Sequence, residues 1–216
     1  MLKKNKWGMI FSSVVILLPV VAGLLLWDRL PEQMPFHWNA AGEVDGWIGK
    51  TGGVFLGPAI LLAVHWTCAL VTGLDPKNKD KNEKVRQRIL WLVPVLSLLL
   101  NGLIYSTALG RDVNVDALMP GLLGVMFVVL GNIMPKCSRN STIGIKLPWT
   151  LHSDANWYAT HRLAGRLWIP GGLCVVAAAF LPMPASLLVM LPVTAALVVI
   201  PCIYSYWFYK NKEEEA

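Results

Sequence analysis

The chain has 216 residues, 55% of them hydrophobic and only 15% charged, which leaves too few solvating side chains for a water-soluble domain of this size. Its formal charge of +6 comes from 19 Lys and Arg against 13 Asp and Glu. The basic residues gather in short connections between apolar runs, so the charge reads as a membrane-topology signal and as contact with anionic headgroups, with no reason to invoke nucleic acid.

Six segments approach the roughly 20 apolar residues that a spanning helix needs: residues 7–27, 53–73, 89–109, 117–134, 167–183 and 185–207. The expected fold is therefore an all-α integral membrane protein with six transmembrane helices. The opening MLKKNK and its apolar run invite a signal-peptide reading, but no small-residue cleavage site precedes Trp27, and the run is read as a retained first span. With the N-terminus inside, sixteen Lys and Arg face inward, among them Lys3, Lys4, Lys77, Lys79, Lys81, Lys84, Arg86 and Arg88. Only three, Arg29, Lys50 and Arg111, face outward, so both termini are expected in the cytoplasm. The short Leu181-Pro-Met183-Pro-Ala-Ser186 turn makes the last two spans an antiparallel hairpin. Two halves follow, 1–116 with an outer loop at 28–52, and 117–216 with an inner loop at 131–166.

The outer loop, between the first two spans, is expected to form a compact lid. Pro31 and Pro35 stiffen its start, and Asn39-Ala-Ala-Gly42 and Asp45-Gly46 are turn chemistry. Phe36, Trp38 and Trp47 are too apolar for a free loop. His37 is expected to bond to Asn39 or to backbone in the turn. A metal site with Asp28, Glu32, Glu43 and Asp45 is a weaker alternative, because the acids lack a spacing that makes them converge. His37, Trp38, Asn39, Gly42, Asp45 and Trp47 are the candidate outer-face binding residues.

Asn82 is placed to cap a helix running into the third span. The basic loop before it, with Asp75 among its residues, reads as solvated, with a partner-docking surface as the alternative. Pro19, Pro58, Pro94, Pro120, Pro170, Pro192 and Pro201 predict kinks, and Gly121, Gly124, Gly171 and Gly172 predict close helix packing. Cys68, Cys137, Cys174 and Cys202 have no CxxC spacing and read as small apolar fillers.

The inner loop has the densest pattern. Thr142 to Lys146 alternates as a short extended segment, and Pro148 disfavours helix at Leu147. Ser153 is an N-cap for a helix starting at Asp154, on which Trp157, His161, Ala164 and Trp168 share one face and Arg162 and Arg166 another. An amphipathic helix lying at the membrane surface accounts for this pattern structurally. The functional alternative is a polar pocket or docking face built from Asn132, Lys136, Asn140, Gly144, Lys146, Pro148, Trp149, Thr150, Trp157, His161 and Arg162.

Gly131-Asn132, Pro135-Lys136, Asn140, Ile143-Gly144-Ile145, Pro148-Trp149-Thr150-Leu151, Trp157, Thr160-His161-Arg162-Leu163 and Gly165 together resemble the signature of the SdpI family of bacterial membrane proteins. The stretch from Leu30 to Trp47 resembles the domain of unknown function often found N-terminal to it. The resemblance implies a bacterial cell membrane protein that gives immunity to a secreted antimicrobial peptide, and in some members one that holds a cytoplasmic repressor at the membrane. Lys146 stands where family members often have Arg, so this position offers a point charge in place of a two-pronged guanidinium. The segment Asp154-Ala-Asn156 is also less acidic than is usual in the family.

Two rival classes rank below this. A transporter normally carries ionisable residues at depth, and only His65, with Asn101, offers polar chemistry there; His65 reads as an interhelical hydrogen-bond partner. The chain also lacks an inverted repeat. For an intramembrane enzyme, Thr150, His152, Ser153, Asp154 and His161 supply the residue types without a spacing rule. No catalytic residue, cofactor or metal is expected. The expected partners are the bilayer, a toxin peptide and, by resemblance, a repressor.

Overall fold

The computed structural model describes residues 6–39, 41–76, 82–182 and 184–212. Lys3, Lys4, Ala40, Lys77, Lys79, Lys81 and Met183, which enter the expectations above, lie outside the described residues. The chain forms two compact units, one of residues 1–74 and 86–114, the other of residues 75–85 and 115–216.

The first unit is built on helices α1 (Lys6–Leu25), α2 (Lys50–Leu74) and α4 (Leu92–Ala108), with α3 (Glu83–Leu90) leading into α4. The buried stripe of α1 is Met9, Ser12, Ile16, Pro19 and Gly23, a helical three-four spacing, while Phe11, Val14, Leu18, Val21 and Leu24 are exposed. Small and polar groups face the neighbouring helices and large apolar ones face away, the inverse of a water-soluble helix. Polar side chains fasten the helices: the Ser97 hydroxyl donates to the Ile16 carbonyl at 2.9 Å and the Tyr105 hydroxyl to the Pro19 carbonyl at 2.8 Å. Ser12 Oγ lies 2.8 Å from His65 Nε2, so His65 is the interhelical partner expected.

Between α1 and α2 the chain departs from the all-α expectation. Strands β1 (Gln33–Trp38) and β2 (Val44–Gly49) pair antiparallel, with the register shifting on either side of His37. The Asn39 carboxamide oxygen accepts the amides of Ala41 at 2.8 Å and Glu43 at 3.1 Å, turning the chain. Met34 and Leu30 anchor the hairpin in a core with Val54, Ile104 and Tyr105, against which Trp38 and Ile48 pack.

The second unit holds α5 (Val115–Ile133), the short α6 (Pro148–His152), α7 (Asp154–Ala178) and α8 (Ala185–Lys212). Helices α5 and α7 approach until their backbones nearly touch: a Cβ on Gly124 would meet the Gly172 carbonyl at 2.6 Å, and one on Gly172 would meet the Gly124 carbonyl at the same distance. Gly121 faces open space and takes no part in the crossing, while Gly171 lies against Leu197 of α8. The Trp168 indole donates to the Leu197 carbonyl at 2.7 Å, tying α7 to α8.

Five described helical stretches are long and apolar enough to cross a membrane: Lys6–Leu25, Lys50–Leu74, Glu83–Ala108, Val115–Lys136 and Ala185–Lys212. The expected fifth span, 167–183, falls mainly in α7, whose first half carries Asp154, His161, Arg162 and Arg166 and so keeps α7 out of that group.

Candidate functional site

The segment from Cys137 to Leu147 has no regular structure, so its backbone amides and carbonyls need partners from side chains. Asn140, fully buried, supplies most of them. Its Oδ1 accepts the amides of Thr142 at 2.8 Å and Ile143 at 2.6 Å, and its Nδ2 lies within 2.9 Å of the Ser138 and Ile143 carbonyls. A short amide side chain folding back on its own loop in this way replaces a missing turn of secondary structure. The buried Cys137 thiol lies 3.3 Å from Asn140 Nδ2, and burial pushes its pKa up to about 11 against the smaller opposing effect of that bond.

Beneath the loop, Ser153 caps α7 by accepting the Asn156 amide at 3.2 Å, as its sequence position predicts. The i, i+4 pair Trp157 and His161 then stacks with ring centroids 4.0 Å apart, both side chains fully buried. Trp157 donates its indole N–H to the Cys137 carbonyl at 2.8 Å. His161 Nε2 accepts the Ile145 amide at 2.9 Å, so the ring proton sits on Nδ1 and is donated to the Trp157 carbonyl at 2.8 Å. Desolvation drives the imidazole pKa down from 6.5 to about 4, the bond to Trp157 opposing it. The neutral ring is therefore a fixed bridge between helix and loop.

Gly144 lies over this stack with a φ of 121°. A Cβ there would collide with His161 Nε2 and with the Trp157 ring, so position 144 needs both the left-handed backbone and the empty volume. The expected extended pattern across Thr142–Lys146 gives way to bends at Thr142–Gly144 and irregular backbone at Ile145 and Lys146. The Thr150 hydroxyl accepts the Leu147 amide at 2.9 Å and lies within 3.0 Å of the Ile145 and Leu147 carbonyls, stopping the loop against α6. Trp149 donates to Ser205 Oγ at 2.6 Å and packs against Tyr206 and Tyr209 of α8. Asn156 Nδ2 donates to the Ser205 carbonyl at 3.0 Å.

Of the predicted loop residues, Asn140, Gly144, Thr150, Trp157 and His161 converge in one network, with Trp149 beside it. Lys136 is exposed and bonds to Asn132 Oδ1 one turn back in the chain, at 2.8 Å, while Lys146, Pro148 and Arg162 are exposed. Three anchors of the loop lie outside the predicted set. Asn82 pairs with both backbone groups of Ser138, at 2.9 and 2.8 Å, and Asp75 Oδ2 accepts the Ser141 amide at 2.8 Å. Arg139 bonds to Asp154 and to the Leu151 carbonyl, each at 2.6 Å. The segment read as a solvated basic loop thus sends two buried side chains into the signature loop, a link that no local pattern announces.

The hairpin residues behave differently. His37 Nδ1 meets Asp45 Oδ1 at 2.5 Å, correcting the expected bond to Asn39, whose carboxamide serves the turn and Glu43 instead. Gly42 closes the turn by donating to the Asn39 carbonyl at 3.1 Å. Trp38 is half-buried on the core, whereas Trp47 is 59% and Phe36 42% exposed. Among the described residues, no group of three His, Cys, Asp or Glu is placed to hold a metal ion.

Residues 136–205, from the end of α5 to Ser205, match the SdpI/YfhL protein family, and residues 14–62, which contain the hairpin, match a domain of unknown function, DUF1648. Immunity protein SdpI of Bacillus subtilis (strain 168) is 27% identical over 211 residues, covering 97% of this chain and 98% of that protein. No solved structure matches the chain. With the signature network built from the matched segment, the DUF1648 match around its hairpin and a relative aligned nearly end to end, this multi-pass membrane protein is similar to the SdpI/YfhL protein family in its inner loop and last helices, and to an SdpI protein along nearly its whole length.

Proposed function

We propose that the protein gives a bacterium immunity to a secreted membrane-active peptide, which it meets at the hairpin between α1 and α2. The observation that carries this reading is the nearly full-length similarity to a protein named for immunity. The exposed Phe36 and Trp47 support the hairpin as the meeting place, since the signature loop spends its aromatic and polar groups on itself. In this reading the protein lies in the bacterial inner membrane with six spans, residues 167–183 adding the fifth in chain order, and both termini lie in the cytoplasm. The excess of Lys and Arg on the signature-loop side supports that orientation. Recruitment of a cytoplasmic repressor, implied by resemblance alone, would use the exposed Lys146 and Arg162 at that face.

Survival of a toxin-sensitive bacterium expressing the chain tests the function. Protection by the wild type, lost in a Phe36→Ser, Trp47→Ser variant of equal membrane abundance, supports the reading; no protection despite correct insertion defeats it. A C-terminal reporter that is active only in the cytoplasm tests the spans. Activity there supports six crossings, while activity only of an externally active reporter leaves five.

A further inference from the structure

From charge and recess geometry, we propose that the hairpin docks a cationic, aromatic-seeking peptide, with the solvent side of a carboxylate at its base receiving a Lys or Arg side chain. This rests on the immunity reading and adds the chemistry of the ligand. The chain as a whole is +6, yet between α1 and the start of α2 four carboxylates, Asp28, Glu32, Glu43 and Asp45, stand against two cations, Arg29 and Lys50. Strand β2 alternates half-buried Val44, Gly46 and Ile48 with exposed Asp45, Trp47 and Gly49, and Glu43 is exposed just before it. The exposed side is therefore both acidic and aromatic.

At the hairpin's base an open recess of about 390 Å³ is lined by Trp27, Glu32, Gln33, Lys50 and the chain that follows it. Here the protein already carries out the chemistry proposed for the ligand. Lys50 Nζ sits 2.8 Å from Glu32 Oε1 and 5.5 Å from the centre of the Trp27 ring. A carboxylate beside an indole face is a site for a cation, and the Glu32 side chain remains 88% exposed while holding Lys50. An incoming Lys or Arg can share that carboxylate from the solvent side while the peptide's apolar residues cover Phe36 and Trp47. Anionic lipid is the poorer occupant, because these carboxylates repel a negatively charged leaflet.

The test uses the full chain in phosphatidylcholine nanodiscs, with empty nanodiscs as blank, and a fluorescein-labelled peptide of alternating lysine and leucine read by anisotropy. The expected result is binding above the blank that falls with added salt and is absent for the analogue with glutamate in place of lysine. It should weaken about five- to tenfold in the Glu32→Gln, Glu43→Gln variant, the size of one or two exposed ion pairs. Equal binding of both peptides, or an unchanged affinity in that variant, overturns the proposal. A Trp47→Ser variant that binds as the wild type does so too. The survival assay separates the two readings: protection retained without cation preference leaves immunity standing and removes this proposal, whereas cation-selective binding without protection does the reverse.

Discussion

The hairpin and the signature loop are the two regions of unusual composition in this chain, and they use similar residues in opposite ways. In the hairpin, His37, Asn39, Glu43 and Asp45 bond to one another across a few residues and stay accessible. In the loop, Asn140, Trp157 and His161 are fully buried, and partners such as Asn82 come from 56 residues away. Unusual residues packed densely into a membrane protein's loop thus serve architecture when buried polar backbone must be satisfied, and stay accessible where their bonds are local.

The comparison can be broken at several points. Gly144→Ala combines backbone strain with a collision against the Trp157–His161 stack, and should cost about 4 kcal/mol or more; a thermal melt of detergent-purified protein that stays within a degree of wild type would remove the loop's tight fit. Acidification comes next. The folded His161 pKa of about 4 lies below the unfolded 6.5, so the opened state binds the extra proton between these values. Its contribution is intact above pH 6.5 and falls away as pH drops towards 4, by on the order of 3 kcal/mol. Unfolding curves at pH 7 and 4.5 should show that loss in the wild type and not in His161→Phe. Asn140→Ala removes the side-chain acceptor of the Thr142 amide and of the buried Ile143 amide and should cost about 2 kcal/mol, visible as a lowered denaturation midpoint. The smallest effect sharpens the contrast from the other side: Trp47→Ser should change stability by less than about 0.5 kcal/mol while reducing survival under toxin.

Parts of this were legible from local sequence. Ser153 as a cap and the i, i+4 pair Trp157 and His161 follow from helix geometry, and both hold. The hairpin was hidden because Pro35 interrupts β1 and the irregular register around His37 spoils the alternation that marks a strand. The roles of Asp75 and Asn82 were hidden for a different reason. Their partners lie 56 to 67 residues away, and neither periodicity nor charge pattern carries information over that distance. Whether an aromatic faced the core or the surroundings was likewise unreadable: Trp157 and Trp47 sit in similarly polar neighbourhoods, and only packing separates 0% from 59% exposure.

The insertion of residues 75–85 into the second unit bears on how the chain can be cut and assembled. A ribosome makes this strap before the loop it secures, so the strap waits, unpartnered by that loop, until Ser138 and Ser141 emerge. A fragment beginning at Val115 would lack it altogether and leave those two serine amides without Asn82 and Asp75. Coexpressed halves split at Asn114 retain the strap only on the first piece, so the second half should reach its native loop only when the first is present, making reconstitution from fragments a one-way dependence.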